Sequence, residues 1–91
     1  MPIHTEHFTL ATATATKICT ASSQGQLVMV HNDEHAQSDK VYVGGANVTT
    51  ANGLHIDSDL TFQIQLDPGS DLWAISDTDG SLVHTLCIKQ D

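Results

Sequence analysis

Apolar and polar side chains alternate with a period of two along much of the chain. Leu60-Thr61-Phe62-Gln63-Ile64-Gln65-Leu66 does so without a fault, the pattern of a strand with one buried face. Asp67-Pro68-Gly69-Ser70 follows, with proline where φ is preset and glycine where φ must be positive, and predicts a type II turn. Residues 72–76 read as the next strand, Asp77-Thr78-Asp79-Gly80 as a hairpin turn, and residues 82–88 as the last strand. Upstream, a strand over residues 26–31 is entered through Ser22-Ser23-Gln24-Gly25. A polar loop from Asn32 to Asp39 leads to a strand over residues 40–43, which Gly44-Gly45 breaks or bulges. Val48-Thr49-Thr50 reads as a short strand ahead of the tight-turn signal Asn52-Gly53. The run Ala11-Thr12-Ala13-Thr14-Ala15-Thr16 alternates with little side chain to bury. It suggests a strand over residues 13–19 preceded by an extended arm, residues 1–12. No stretch carries a helical stripe. The expected fold is all-β: a single domain over residues 13–91, a small β-sandwich or jelly-roll-like barrel.

Three strands depart from simple alternation. Leu72 and Ala74 face one way while Trp73 and Ile75 face the other; Leu27 and Met29 oppose Val28 and Val30; Leu82, Leu86 and Ile88 oppose Val83 and Cys87. Strands apolar on both faces are covered on both, and no amphipathic helix is present to cover the second one. A second copy of the chain is the economical cover, which predicts a homo-oligomer with apolar contacts. Val28, Val30, Leu72, Trp73 and Val83 are the subunit contacts expected from this pattern.

Charge narrows the partners. The chain has 91 residues, a formal net charge of −8 and three lysines as its only Lys or Arg residues. Three scattered lysines cannot neutralise a phosphate backbone, so no nucleic acid is expected. The same sign argument excludes an anionic membrane surface. No apolar run approaches the ~20 residues of a membrane span. The first residues, Met1-Pro2-Ile3-His4-Thr5-Glu6-His7, have neither the basic nor the apolar region of a signal peptide, which implies synthesis in the cytosol. Hydrophobic residues at 40% against charged residues at 15% argue for a folded chain. A core this small needs a disulfide, a metal or oligomerisation. Cys19 and Cys87 could pair, but a cytosolic origin favours two buried thiols acting as small hydrophobes. Among the six histidines, His31 and His35 are four apart but fall in a loop, and no metal-ligand spacing occurs. Asp77-Thr78-Asp79-Gly80 fails as a calcium loop, because the glycine comes early and Ile88 stands where a glutamate is needed. Oligomerisation is the help that remains.

No reactive constellation is legible. There is no Gly-x-Ser-x-Gly, and Gly44-Gly45 lacks the lysine of a phosphate loop. Asp57 with Asp59, and Asp77 with Asp79, read as turn-shaping aspartates. No catalytic residue, cofactor or metal ligand is expected.

Val41-Tyr42-Val43-Gly44-Gly45, Val48-Thr49-Thr50-Ala51-Asn52-Gly53 and Leu72-Trp73-Ala74-Ile75-Ser76, with Val28-Met29-Val30-His31-Asn32 ahead of them, resemble a family of small tailed-phage virion proteins over residues 26–88. The resemblance implies a capsid decoration (minor capsid) protein, a structural β-sandwich that assembles as a homotrimer on the outside of the assembled phage head. It implies the phage major capsid protein as partner and the capsid surface of the virion as location. On this reading the N-terminal arm would touch the shell through Ile3, His4, Phe8 and Leu10, by adding a strand to a capsid sheet edge. The alternative is a carbohydrate- or receptor-binding module of a head fibre or tail appendage. Sugar stacking needs exposed aromatics, and the chain offers only Phe8, Tyr42, Phe62 and Trp73. The sequence departs from the family at His55-Ile56-Asp57-Ser58-Asp59, an acidic loop where a proline-rich or glycine-containing one is usual.

Overall fold

A computed structural model describes residues 3–34 and 39–89, which form eight strands. In chain order these are β1 (Ile3–Leu10), β2 (Thr16–Cys19), β3 (Gln26–Asn32), β4 (Val41–Gly44), β5 (Leu54–Ile56), β6 (Thr61–Leu66), β7 (Leu72–Ser76) and β8 (Ser81–Lys89). They make two four-stranded antiparallel sheets, β1-β8-β3-β6 and β2-β7-β4-β5. This strand order, in two facing sheets of four, is a jelly roll. The all-β expectation holds, down to the jelly-roll form.

Alternation decides which residues fill the space between the sheets. β3 sends Gln26, Val28, Val30 and Asn32 inward, and β8 sends Ser81, Val83, Thr85 and Cys87. The facing sheet contributes Ile18, Val41, Val43, Ile56, Leu72 and Ala74, and Phe8, Phe62 and Ile64 close the margins. Val28, Val30 and Val83 are fully enclosed and Leu72 is 4% exposed. These four are core residues, which corrects their assignment as subunit contacts: no second chain can reach them. Trp73, the fifth, is half-buried on the outer side of its sheet, with the Lys17 ammonium 5.4 Å from its ring centroid.

The N-terminal segment also differs from expectation. Residues 3–10 are not an arm ahead of the domain. They pair with β8 along their whole length, from Ile3 opposite Ile88 to Leu10 opposite Ser81. Leu10 is 1% exposed and part of the core, Phe8 packs against that core, and Ile3 and His4 are exposed. Phe8 and Leu10 are therefore fold residues rather than contacts for a shell. Strand β2 starts at Thr16, three residues later than the Ala/Thr run suggested.

Turns joining the two sheets carry the remaining corrections. Gly69 has φ of 82° and Ser70 N–H donates to Asp67 O at 3.1 Å, the predicted type II geometry. That turn links β6 to β7, which lie in different sheets. The turn at residues 77–80 likewise links β7 to β8 across the sandwich and is not a hairpin. The expected strand at residues 48–50 is irregular loop leading into a turn. The partner of β4 is instead β5, with Val43 opposite Leu54 and Val41 opposite Ile56. Part of the expected loop from Asn32 to Asp39, His35 included, lies outside the described residues.

Turn aspartates hold these connections. Asp71 Oδ1 accepts from Ala21 N–H at 2.6 Å, Asp77 Oδ1 from Lys40 N–H at 3.0 Å and Asp79 Oδ1 from Thr12 N–H at 2.9 Å. Carboxylates that accept backbone N–H groups next to turns shape the backbone, as expected of Asp77 and Asp79.

Candidate functional site

The outer faces of the two sheets are finished differently. Over the β2-β7-β4-β5 sheet, the chain between β4 and β5 folds back on itself. Val48 is 4% exposed, and its Cγ2 lies where side chains on Gly44 and Gly53 would have to go. The protein's own loop thus supplies apolar cover beside Tyr42. On the β1-β8-β3-β6 sheet the outward residues of β3 and β8 are Leu27 and Met29, and Leu82, Leu86 and Ile88, all half-exposed. Register places Leu27 opposite Ile88 and Met29 opposite Leu86. Ile3, opposite Ile88 on the other side, is 62% exposed. Leu27, Met29, Leu86, Ile88 and Ile3 form one continuous apolar stripe that no described segment of the chain covers, with Leu82 beyond His84 at the far end of β8.

At the other end of this face the stripe gives way to imidazoles. His7 on β1 is opposite His84 on β8, which is opposite His31 on β3. Three neighbouring strands therefore carry one row of histidines. The His7 and His84 ring centroids are 5.9 Å apart. Just past the end of β3, Asp33 N–H donates to Leu82 O at 2.9 Å, which extends the ladder and keeps Asp33 on the face of His31. His84 Nε2 is 3.1 Å from Asp33 Oδ2, and His31 Nε2 is 3.9 Å from Asp33 Oδ1. A recess of about 360 Å³ opens here, lined among others by Met29, His7, His31, His84 and Leu86.

A second constellation lies between the sheets. Cys19 on β2 and Cys87 on β8 come from opposite sheets, yet their sulfurs are 3.1 Å apart and both residues are buried. The hydrogen bond to Cys87, with burial behind it, pushes the Cys19 thiol far above its usual range. The same bond lowers Cys87 to about 7, because a thiolate there is stabilised by the proton held on Cys19. Gln26, fully buried beside them, donates from Nε2 to Thr20 O at 2.7 Å, and its Oε1 has no hydrogen-bond partner among the described residues. His4, Glu6 and Lys89 complete the rim of this recess.

Sequence spacing reveals neither constellation. The histidines are separated by dozens of residues and meet only through the β1-β8-β3 pairing, and the thiols meet only through sheet stacking. The two-faced pattern did signal an apolar outer surface. It could not say which of the two sets on each strand points outward.

No family model and no curated protein matches the chain. One solved structure, described as Bacillus endospore appendages forming a novel family of disulfide-linked pili, shares the fold at a TM-score of 0.60. The match covers 99% of this chain and 87% of that one, at 11% sequence identity. It corrects the expectation of a phage capsid decoration protein. The fold that spans nearly the whole chain is shared with a Bacillus endospore appendage, and nothing in that match is a phage capsid. The homotrimer, the capsid partner and the virion location were implications of the phage resemblance alone.

Proposed function

We propose that this protein is a structural subunit that associates with further copies of itself into an extracellular, pilus-like appendage. The observation that carries the reading is the apolar stripe of Leu27, Met29, Leu86, Ile88 and Ile3. It lies on a sheet face that no described segment covers, whereas the opposite sheet receives Val48 from its own loop. Contiguous exposed apolar surface of this kind marks an interaction site. The shared fold with a disulfide-linked pilus supports the choice of a second copy as the occupant. Assembly through this face needs no catalytic group. The net charge of −8 leaves the uncharged stripe as the surface where two copies approach without repulsion.

The test is the assembly state of purified protein by light scattering and negative-stain electron microscopy over a range of concentrations, in wild type and Leu86→Asp. Wild type should self-associate increasingly as concentration rises. The variant should stay monomeric with an unchanged circular dichroism spectrum, because Leu86 is half-exposed and outside the core. A wild type that remains monomeric throughout overturns the reading.

A further inference from the structure

We infer that the imidazole end of the outer face binds one borderline divalent transition-metal ion of the zinc type, held by His31, His84 and Asp33 with Asp59 beside them. One ring nitrogen of His31 and one carboxylate oxygen each of Asp33 and Asp59 lie within 4.8 Å of one another. His84 adds a second imidazole, its Nε2 3.1 Å from Asp33 Oδ2. A tetrahedral zinc ion with ligand distances of about 2.0–2.2 Å sets its donors roughly 3.4 Å apart. Asp33 offers a different oxygen to each imidazole, Oδ2 at 3.1 Å to His84 Nε2 and Oδ1 at 3.9 Å to His31 Nε2, so the carboxylate spans the two rings and an ion draws both towards it. The side chains are 52%, 36% and 34% exposed at His84, His31 and Asp33, so they can turn towards an ion without disturbing the core.

The residues behind the donors favour the same occupant. His31 Nδ1 is 3.0 Å from Thr61 Oγ1, on the neighbouring strand β6. When Nδ1–H of the neutral ring donates to that hydroxyl, the lone pair of Nε2 faces the Asp33 carboxylate and is available to a cation between them. A ligating histidine is ordinarily fixed by such a bond from its other nitrogen. The backbone under the site is also fixed. Asp33 is tied to Leu82, and Asp59 N–H donates to Asn32 O at 2.9 Å. Imidazole nitrogens mixed with carboxylates select zinc, copper or nickel over calcium or magnesium, which prefer oxygen alone. His7 brings a third imidazole to the edge of the group. The donors adjoin the Met29 and Leu86 end of the apolar stripe, but all of them come from one chain, so binding needs no second copy.

The experiment is isothermal titration of the tag-free protein with Zn²⁺, with Ca²⁺ and Mg²⁺ as controls, and the visible spectrum of the Co²⁺ complex as a readout of coordination. Wild type should take up one zinc ion per chain and show the intense d–d bands of a four-coordinate cobalt site. His84→Gln and Asp33→Asn should each weaken zinc by at least about tenfold, and Thr61→Val should weaken it less. Urea midpoints measured without metal confirm that these variants fold. The double variant Cys19→Ser/Cys87→Ser should bind as wild type does, without a thiolate charge-transfer band in either. Absence of saturable zinc binding overturns the inference. So does binding that survives both His84→Gln and Asp33→Asn, or that disappears with the cysteines. These outcomes concern metal alone, so they are distinct from failure of the assembly reading.

Discussion

Cys19 Sγ and Cys87 Sγ lie 3.1 Å apart across the interior of the sandwich, one thiol from each sheet. Residues 68 positions apart thus already stand face to face in the reduced protein. An oxidant needs only to remove two hydrogens to join the sheets covalently. Closing a loop of that length in the unfolded chain is worth about 4 kcal/mol in the chain-entropy account. Oxidised wild type should therefore show an internal disulfide by non-reducing mass mapping and a clearly higher urea midpoint than the reduced form. Cys19→Ser should show neither change. Oxidation that yields only cross-linked dimers would contradict the pairing within one chain.

Asn32 is fully buried at the opposite end of the sandwich, where it ties β3 to the other sheet. Its Nδ2 donates to Ile56 O at 3.0 Å and to Asp39 O at 3.2 Å, and its Oδ1 accepts from Glu34 N–H at 3.2 Å. Asn32→Ala leaves these backbone groups without their partner and should cost about 2–4 kcal/mol. Asn32→Asp should be worse, because it turns an acceptor towards two carbonyls. Urea denaturation of the three proteins checks the order.

Much of this architecture could be read from the sequence because it is set locally. The faultless alternation over residues 60–66 identified a strand, and Asp67-Pro68-Gly69-Ser70 identified its turn, with Gly69 at φ of 82°. What local pattern lacks is the choice of partner. The turn at residues 77–80 looks like a hairpin turn from its residues, and only the sandwich shows that it sends the chain from one sheet to the other. The same limit hid the candidate site. His31 and His84 become neighbours through β3–β8 register, and Asp33 joins them because the ladder continues past the strand end. The apolar stripe was half legible. The alternation sets Leu27 and Met29 against Val28 and Val30, but it does not show that the β-branched pair turns inward while the longer pair, not branched at Cβ, stays outside.

Gly53 and Gly69 separate two reasons for having glycine. A Cβ on Gly53 would lie 2.7 Å from Tyr42 Cβ and 2.7 Å from Val48 Cγ2, so alanine there must push the covering loop off its sheet. Overpacking of this kind costs about 1–3 kcal/mol. Gly69 has open space around it and only its positive φ to defend, for which about 1 kcal/mol is expected. Thermal unfolding should rank Gly53→Ala below Gly69→Ala, with Tyr42 fluorescence shifted only in the former.

The thiol pair also gives the reduced protein a pH dependence with a definite sign. Cys87 is lowered to about 7 in the fold by its bond from Cys19, while a thiol in the unfolded chain titrates near 8.5. Between those values the unfolded chain binds more protons than the folded one, so stability rises with pH across that window and is lost as pH falls through 7. Cys19 acts in the opposite sense, because its raised affinity opposes unfolding less as pH climbs, but only above the unfolded thiol range. Reduced wild type should therefore gain in urea midpoint from pH 6.5 to about 8.5. Cys19→Ala removes the thiol donor and leaves Cys87 nearer its ordinary value, which should flatten the gain. The rate of Cys87 alkylation, followed by mass spectrometry, should climb through the same window in wild type and through a higher one in the variant. A wild-type alkylation profile centred in the ordinary thiol range would show that the proton is not shared between the two sulfurs.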